Sequence, residues 1–447
     1  MKDKIRIGCG AGFSGDRLDP AIVLVEKGKL DYLVLECLAE RTIALAQKRK
    51  RKDPSKGYDP LLERRIESLL PTLLKNKVKL ITNMGAANPM EGARKIISIA
   101  NKLKLKIKVA SVAGDDVFEK LDTSALAIET NEPLRNSGEL ISANAYLGVE
   151  GILKGLRAGA DIVITGRVAD PSLFLAPMIH EFGWSATDYD LMGKGTVIGH
   201  LLECAGHITG GYFADPLKKP VEGLHQLGHP FADIGKEGSA IISKVEGTGG
   251  VVNLQTVKEQ LLYEVINPFE YLTPDVSADF TSVKLKQIGK DQVEVTGGHG
   301  KARPETYKVS VGYKAFCLGE GEISYAGQSA MERAKLAAEI ITKRFAGGMV
   351  VSDQPITDIR VDYVGLSSVH RTDFKTSQSP YEIRLRVAGK AQTLEDAALI
   401  GEEVEALYTN GPAAGGGVRK LANEVVGIVS TLINRTEIEA NITVIES

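Results

Sequence analysis

Short apolar runs alternate with longer amphipathic stretches through the first part of the chain, and that rhythm predicts strands and helices in turn. Residues 4–9 read as a strand, followed by a glycine loop and a helix over 20–27 that Asp19 caps, with Pro20 at the first helical position. The continuous apolar run 31–37 predicts a buried strand. Two helices follow, the second after Asp59-Pro60, and then a strand over 78–84, a helix over 89–104 and a strand over 106–112. Residues 143–158 read as a helix and 160–167 as a strand. Repeated β-α units of this size predict an α/β domain over residues 1–275, a mainly parallel sheet with helices on both faces.

The pattern changes after about residue 276. Strands are expected over 281–287, 292–296 and 306–312, then a helix over 331–345 and strands over 356–364 and 381–387. Helices over 394–408 and 421–432 and a last strand over 440–445 complete a C-terminal α+β domain, residues 276–447.

Each strand of the first domain ends in small or polar residues: GAGFSGDR, ECLAER, NMGAANP, AGDD and TGRVADP. Ligands bind where the carboxyl ends of parallel strands meet their loops, so these five loops predict one polar pocket. Composition narrows the ligand. With 55 basic against 57 acidic residues the net charge is -2, which provides no field for a phosphate backbone, and no nucleic-acid partner is expected. No segment approaches the roughly 18 apolar residues of a membrane span, so no membrane partner is expected either. Residues 1–7 carry charge and run into the first strand without an apolar signal region. Cys9, Cys37, Cys204 and Cys317 lie far apart with no CxxC pair, a usage that predicts reduced thiols and a cytoplasmic protein.

Three glycine loops could hold an anion. Gly10 to Gly15 forms GxGxxG after a strand, with Glu36 at the end of the next one, as a dinucleotide site asks. Asp19-Pro20 starts the helix four residues beyond the last glycine, too late for the glycines to open it, so a plain turn or a substrate-carboxylate cradle fits better than a dinucleotide site. The loop Gly247, Thr248, Gly249 and Gly250 follows a strand and precedes a helix with a Thr256-x-x-Glu259 capping box. Gly415 to Gly417, beside Arg419 and Lys420, precedes the helix expected over 421–432. None matches the P-loop pattern. His200, Glu203 and His207 could share a helical face as metal ligands, although ordinary hydrogen-bonded histidines fit better and no metal is expected. Glu320 and Glu322 sit two apart on a strand end, on one face.

The stretches GCGAGFSGDRLDPA, TNMGAANP, TGRVADPSLFLAP, GHLLECAGHITGGYFADP and YTNGPAAGGGVR resemble the acyclic terpene utilisation AtuA family, with the similarity running from the first strand to the last glycine loop. The resemblance implies a place beside acyl-CoA carboxylases, enoyl-CoA hydratases and lyases in the catabolism of branched acids and acyclic terpenes. It also implies a small partner subunit, resembling a C-terminal domain that longer relatives carry.

The expectation is therefore a hydratase or lyase acting on an acyl-CoA or small carboxylic acid, with no cofactor beyond a coenzyme A thioester as substrate, in a homo-oligomer. Asp16, Glu36, Glu203 and Glu320 are the acid-base candidates. Arg17, Arg41, Asn83, Asn88, Asp115 and Arg167 are candidates to orient the substrate, with amides of Gly247 to Gly250 beside them. The alternatives are a dinucleotide-dependent oxidoreductase and a non-catalytic subunit that scaffolds a partner.

Overall fold

Four-residue strands that are mostly apolar need cover on both faces, and the computed structural model, which describes residues 2–370 and 380–447, supplies it. The strands β1 (Lys4–Ala11), β2 (Tyr32–Leu35), β3 (Lys79–Thr82) and β4 (Lys108–Ala113) alternate with the helices α1 (Asp19–Lys27), α2 (Glu40–Lys52), α3 (Leu62–Asn76) and α4 (Pro89–Lys102). Next come β5 (Glu139–Ala145), α5 (Glu150–Arg157), β6 (Ile162–Thr165), α6 (Ser172–Phe182) and α7 (Tyr189–Glu203). Leu33, Leu35, Leu80, Ile162 and Ile164 point toward α1, α3 and α4 and pack on Leu24, Leu62, Ile66, Leu69 and Ile96. Helices α5, α6 and α7 cover the other face, where the Tyr32 hydroxyl donates to Glu181 at 2.6 Å.

Antiparallel strands lengthen this sheet at both edges: β7 (Pro230–Gly235) and β8 (Ala240–Lys244) on one side, and at the other the last strand of the chain. After α8 (Leu254–Leu262), β9 (Tyr271–Leu272), β10 (Ser277–Asp279) and β13 (His299–Lys301) form a small sheet, while β11 (Lys284–Gly289) and β12 (Gln292–Thr296) join the large one. The chain continues through β14 (Thr306–Ala326), α9 (Ala330–Ala346), β15 (Thr357–Val364), β16 (Glu382–Ala391), α10 (Leu394–Asn410), β17 (Gly416–Asn434) and β18 (Asn441–Glu446). The large sheet has the order β11-β12-β8-β7-β1-β2-β3-β6-β4-β18. Only the β1-β2-β3-β6-β4 block is parallel, and the remaining pairings are antiparallel. The sheet is thus mixed instead of mainly parallel, because hairpins and the returning C-terminal strand extend it without crossover helices.

By compactness the chain forms two units. The first holds Met1–Asn136, Ile141–Gly312 and Ile428–Ser447, and the second Ser137–Leu140 and Tyr313–Gly427. In the second, α9 and α10 lay Ala334, Ala337, Ile341, Ile400 and Val404 against Ile323, Ile383, Leu385 and Val387 of an antiparallel sheet.

Several local expectations are corrected. Residues 143–158 divide into the end of β5, whose last four residues are all buried, and α5. Residues 421–432 lie in β17, where Val425, Val426, Ile428, Val429 and Thr431 bring the stiffness of β-branched side chains. Gly415 to Gly417 therefore runs into the start of a strand and offers no helix terminus, and Lys420 pairs with Glu405 at 2.6 Å. The cap of α8 is Asn253, whose Oδ1 accepts from Gln255 N at 2.8 Å and Thr256 N at 3.0 Å; Glu259 instead pairs with Lys219. Asp19 lies inside the first turn of α1 and caps nothing.

Candidate functional site

The chain leaves β2 through Glu36, β3 through Asn83 and β6 through Arg167, and the parallel register brings these three to one edge of the sheet. Asn83 ties the first two ends together: its Oδ1 accepts from Cys37 N at 2.7 Å and its Nδ2 donates to Glu36 Oε1 at 2.9 Å. The same Glu36 oxygen accepts from Leu38 N at 2.9 Å. Arg167, 1% exposed, donates through Nη1 to Leu38 O at 2.6 Å and to Asp170 at 2.9 Å, and through Nη2 to Glu40 at 3.2 Å. Its guanidinium lies over the Tyr146 ring at 4.4 Å, and the Tyr146 hydroxyl donates to Asp170 at 3.2 Å. Behind it, Asp115 accepts from Arg167 N at 2.9 Å and Asn144 Nδ2 at 2.8 Å. Burial pushes the Asp115 carboxyl up to about 6.

From the other face of the sheet α7 delivers His200 and Glu203, three residues apart and so one above the other on the helix. Glu203 Oε1 meets His200 Nδ1 at 2.9 Å, and the imidazole is flanked by Tyr271 and Phe280, each at 5.5 Å. Burial and the nearby Asp170 both hold the Glu203 carboxyl well above the carboxylate range, while burial pushes His200 down to about 4. A neutral acid beside a neutral imidazole is what a dry site prefers over an ion pair. Glu36 is raised as well, first by burial and then by Asp170, against the opposing pull of Asn83, Leu38 and Arg167. Four acids, Glu36, Glu40, Asp170 and Glu203, thus share the field of one guanidinium. Among the described residues three buried atoms of this cluster, Glu203 Oε2, His200 Nε2 and Arg167 Nε, have no hydrogen-bond partner.

Beside Glu203, Cys204 forms part of the wall of a cleft of about 560 Å³. The glycine loop after β1 lies against it so closely that a Cβ on Gly12 would stand 2.5 Å from the Cys204 carbonyl carbon. Asp16 and His229 face each other across the cleft at 3.8 Å, and the exposed Phe13, Tyr212 and Leu224 form its apolar lips. His207 also belongs to this wall, edge-on to Tyr263 at 4.7 Å, and stands apart from the His200-Glu203 pair. Among the described residues no cluster of His, Cys, Asp and Glu could hold a metal ion.

Of the residues singled out from the sequence, Glu36, Asn83, Arg167, Glu203 and Asp115 come together, and Asp16 and Arg17 line the adjoining cleft. Asn88 donates to the carbonyls of Pro54 and Lys56, and Arg41 is exposed. Gly247 to Gly250 line a different groove, where the amides of Thr248, Gly249 and Gly250 already donate to Val245, Gln226 and Glu222 carbonyls. Glu320 belongs to the second unit, on the half-exposed strand face where Glu322 pairs with Arg384 at 3.1 Å. The sequence reading missed Asp170, Tyr146, Glu40 and Tyr271. The spacing Arg167-x-x-Asp170 just after a strand was the one signal that could have found an ion pair there.

Among the described residues no helix is long and apolar enough to cross a membrane. Nothing matches the chain among curated proteins or among solved structures. A family model does match, over residues 5–444, and with nearly the whole length covered the chain belongs to the acyclic terpene utilisation AtuA family.

Proposed function

We propose that this chain, within the acyclic terpene utilisation for which its family is named, is a hydratase or lyase acting beside the carbonyl of a branched acyl-CoA or small carboxylic acid. The observation that carries this reading is the unequal setting of two buried carboxyls beside one guanidinium. Glu36 accepts from two N–H donors, which favour its charged form. Glu203 has an oxygen without a partner and a neutral imidazole on the other, which favours its protonated form. Burial raises both carboxyls, but only Glu36 has hydrogen bonds pulling it back toward the charged form, so Glu36 is assigned the base and Glu203 the acid.

In the hydration direction Glu36 takes a proton from water as the hydroxyl oxygen bonds to the β-carbon of an α,β-unsaturated acyl group. The π electrons pass through the carbonyl as an enolate, whose charge faces Arg167, and Glu203 delivers its proton to the α-carbon. One C–O and one C–H bond form as the C=C π bond breaks, and exchange with water resets the two carboxyls. The 560 Å³ cleft with its apolar lips suits a branched hydrocarbon chain.

The test is turnover of linear and 3-methyl-branched enoyl thioesters, followed by loss of the ultraviolet absorbance of the conjugated thioester. Wild-type turnover that falls about a hundredfold or more in Glu36→Gln and in Glu203→Gln, with melting temperatures unchanged, supports the reading. If the wild type turns over none of the panel, the hydration chemistry is wrong.

A further inference from the structure

A buried guanidinium normally has an acid for company, because removing one partner of a buried pair leaves an uncompensated charge that costs several kcal/mol. Arg65 of α3 has no such company. It is 2% exposed, and its Nη2 donates to the main-chain oxygens of Ser14 at 2.9 Å and Asp16 at 2.7 Å. Among the described residues its Nε and Nη1 have no partner. Every group that it touches by hydrogen bond is therefore a neutral carbonyl.

This side chain lines a second cleft, of about 410 Å³, beside α1 and α3. Arg17 and Arg64 stand in the same walls, together with Asp16 and Asp19. Asp16 and Asp19 offset two of these three charges and leave one positive charge over, and the Asp16 oxygens are engaged by Gly12 N at 3.0 Å and Arg17 N at 2.8 Å and not by Arg65. Among the described residues the Arg17 guanidinium donates only to the carbonyls of Leu224 and His225, at 3.3 and 3.4 Å.

We propose that this cleft is a phosphoryl-anion subsite. Guanidinium forks match phosphate oxygens in geometry and charge, and an anion here supplies the countercharge that Arg65 lacks. Asp16 and Arg17 line both clefts, so a single ligand can keep its reacting end near Cys204 and its anionic end at the arginines. The phosphate is then that of a nucleotide-bearing thioester carrier, an assignment that rests on the acyl-CoA reading above, whereas free phosphate shares the same chemistry.

Calorimetric titration of the full chain with coenzyme A, ADP and inorganic phosphate tests it. Coenzyme A and ADP binding that weakens about tenfold or more in Arg64→Glu, an exposed position where folding is undisturbed, supports the carrier. Binding of inorganic phosphate alone, weakened by the same change, supports the subsite and assigns it to the free anion. In Arg65→Met the ligand-dependent rise in melting temperature should disappear; if that variant fails to fold, Arg64→Glu decides. The proposal is overturned if none of the three ligands binds the wild type, or if Arg64→Glu binds them as tightly. Anion binding by a chain that turns over no enoyl thioester removes the hydration reading and leaves this site. Turnover with anion affinity intact in Arg64→Glu removes this site alone.

Discussion

At the scale of single residues, the chemistry follows from how few donors reach a crowded set of acids. Arg167 has Asp170 and Glu40 on its Nη atoms and Tyr146 beneath its plane, and among the described residues its Nε has no partner. Arg167→Lys keeps the charge but loses that fork, so kcat should fall at least about tenfold while the fold persists. A lysine variant with wild-type kcat would show that the guanidinium plane is not used. Asp115 carries a pH prediction. Its folded carboxyl titrates near 6 against an ordinary 3.8, so the folded chain holds a proton that the unfolded chain has released. Its contribution is full below about pH 4 and is lost as pH rises toward about 6, by at most about 3 kcal/mol. Urea midpoints measured from pH 4 to pH 7 should show a smaller fall in Asp115→Asn than in the wild type, and an identical fall would refute the assignment.

Among the elements, those legible in the sequence were the ones where pattern and packing agree. β2 and β6, buried throughout and apolar but for Thr165, and α3 and α4, with one apolar stripe each, were placed within a few residues. The misread segments lacked that agreement. Ala143 and Ala145 carry little strand signal, and the apolar spacing over 421–432 fits a helix until the β-branched content is weighed. Glycine loops were legible as loops but not in purpose. Gly249 is needed because a Cβ there would lie 1.9 Å from Gly223 O, and the positive φ values belong to Gly247 and Gly250. Gly249→Val should therefore lower the melting temperature by roughly 5 °C or more and leave ligand affinity and kcat unchanged in the folded fraction. A variant that melts normally but loses binding would return this loop to the functional site.

The whole molecule decides which candidates can act together, and this was the least legible scale. Strand ends can be read from local sequence, and so Glu36, Asn83 and Arg167 were found; what faces them from α7 and from the loop after β6 depends on how the layers stack. His200 and Glu203 were visible as a helical pair, yet only the packing of α7 behind the sheet puts Glu203 into the field of Asp170 and Arg167. Glu320 looked equally suitable and belongs to the other unit. The account therefore stands on one electrostatic claim, that the packed layers keep Glu203 protonated beside a neutral His200. Infrared titration of the carboxyl stretch reads this directly and needs no substrate. The account predicts a protonated-carboxyl band that persists at pH 7 in the wild type and is absent from Glu203→Gln; a spectrum with no such band at pH 7, or one that Glu203→Gln leaves unchanged, would contradict it.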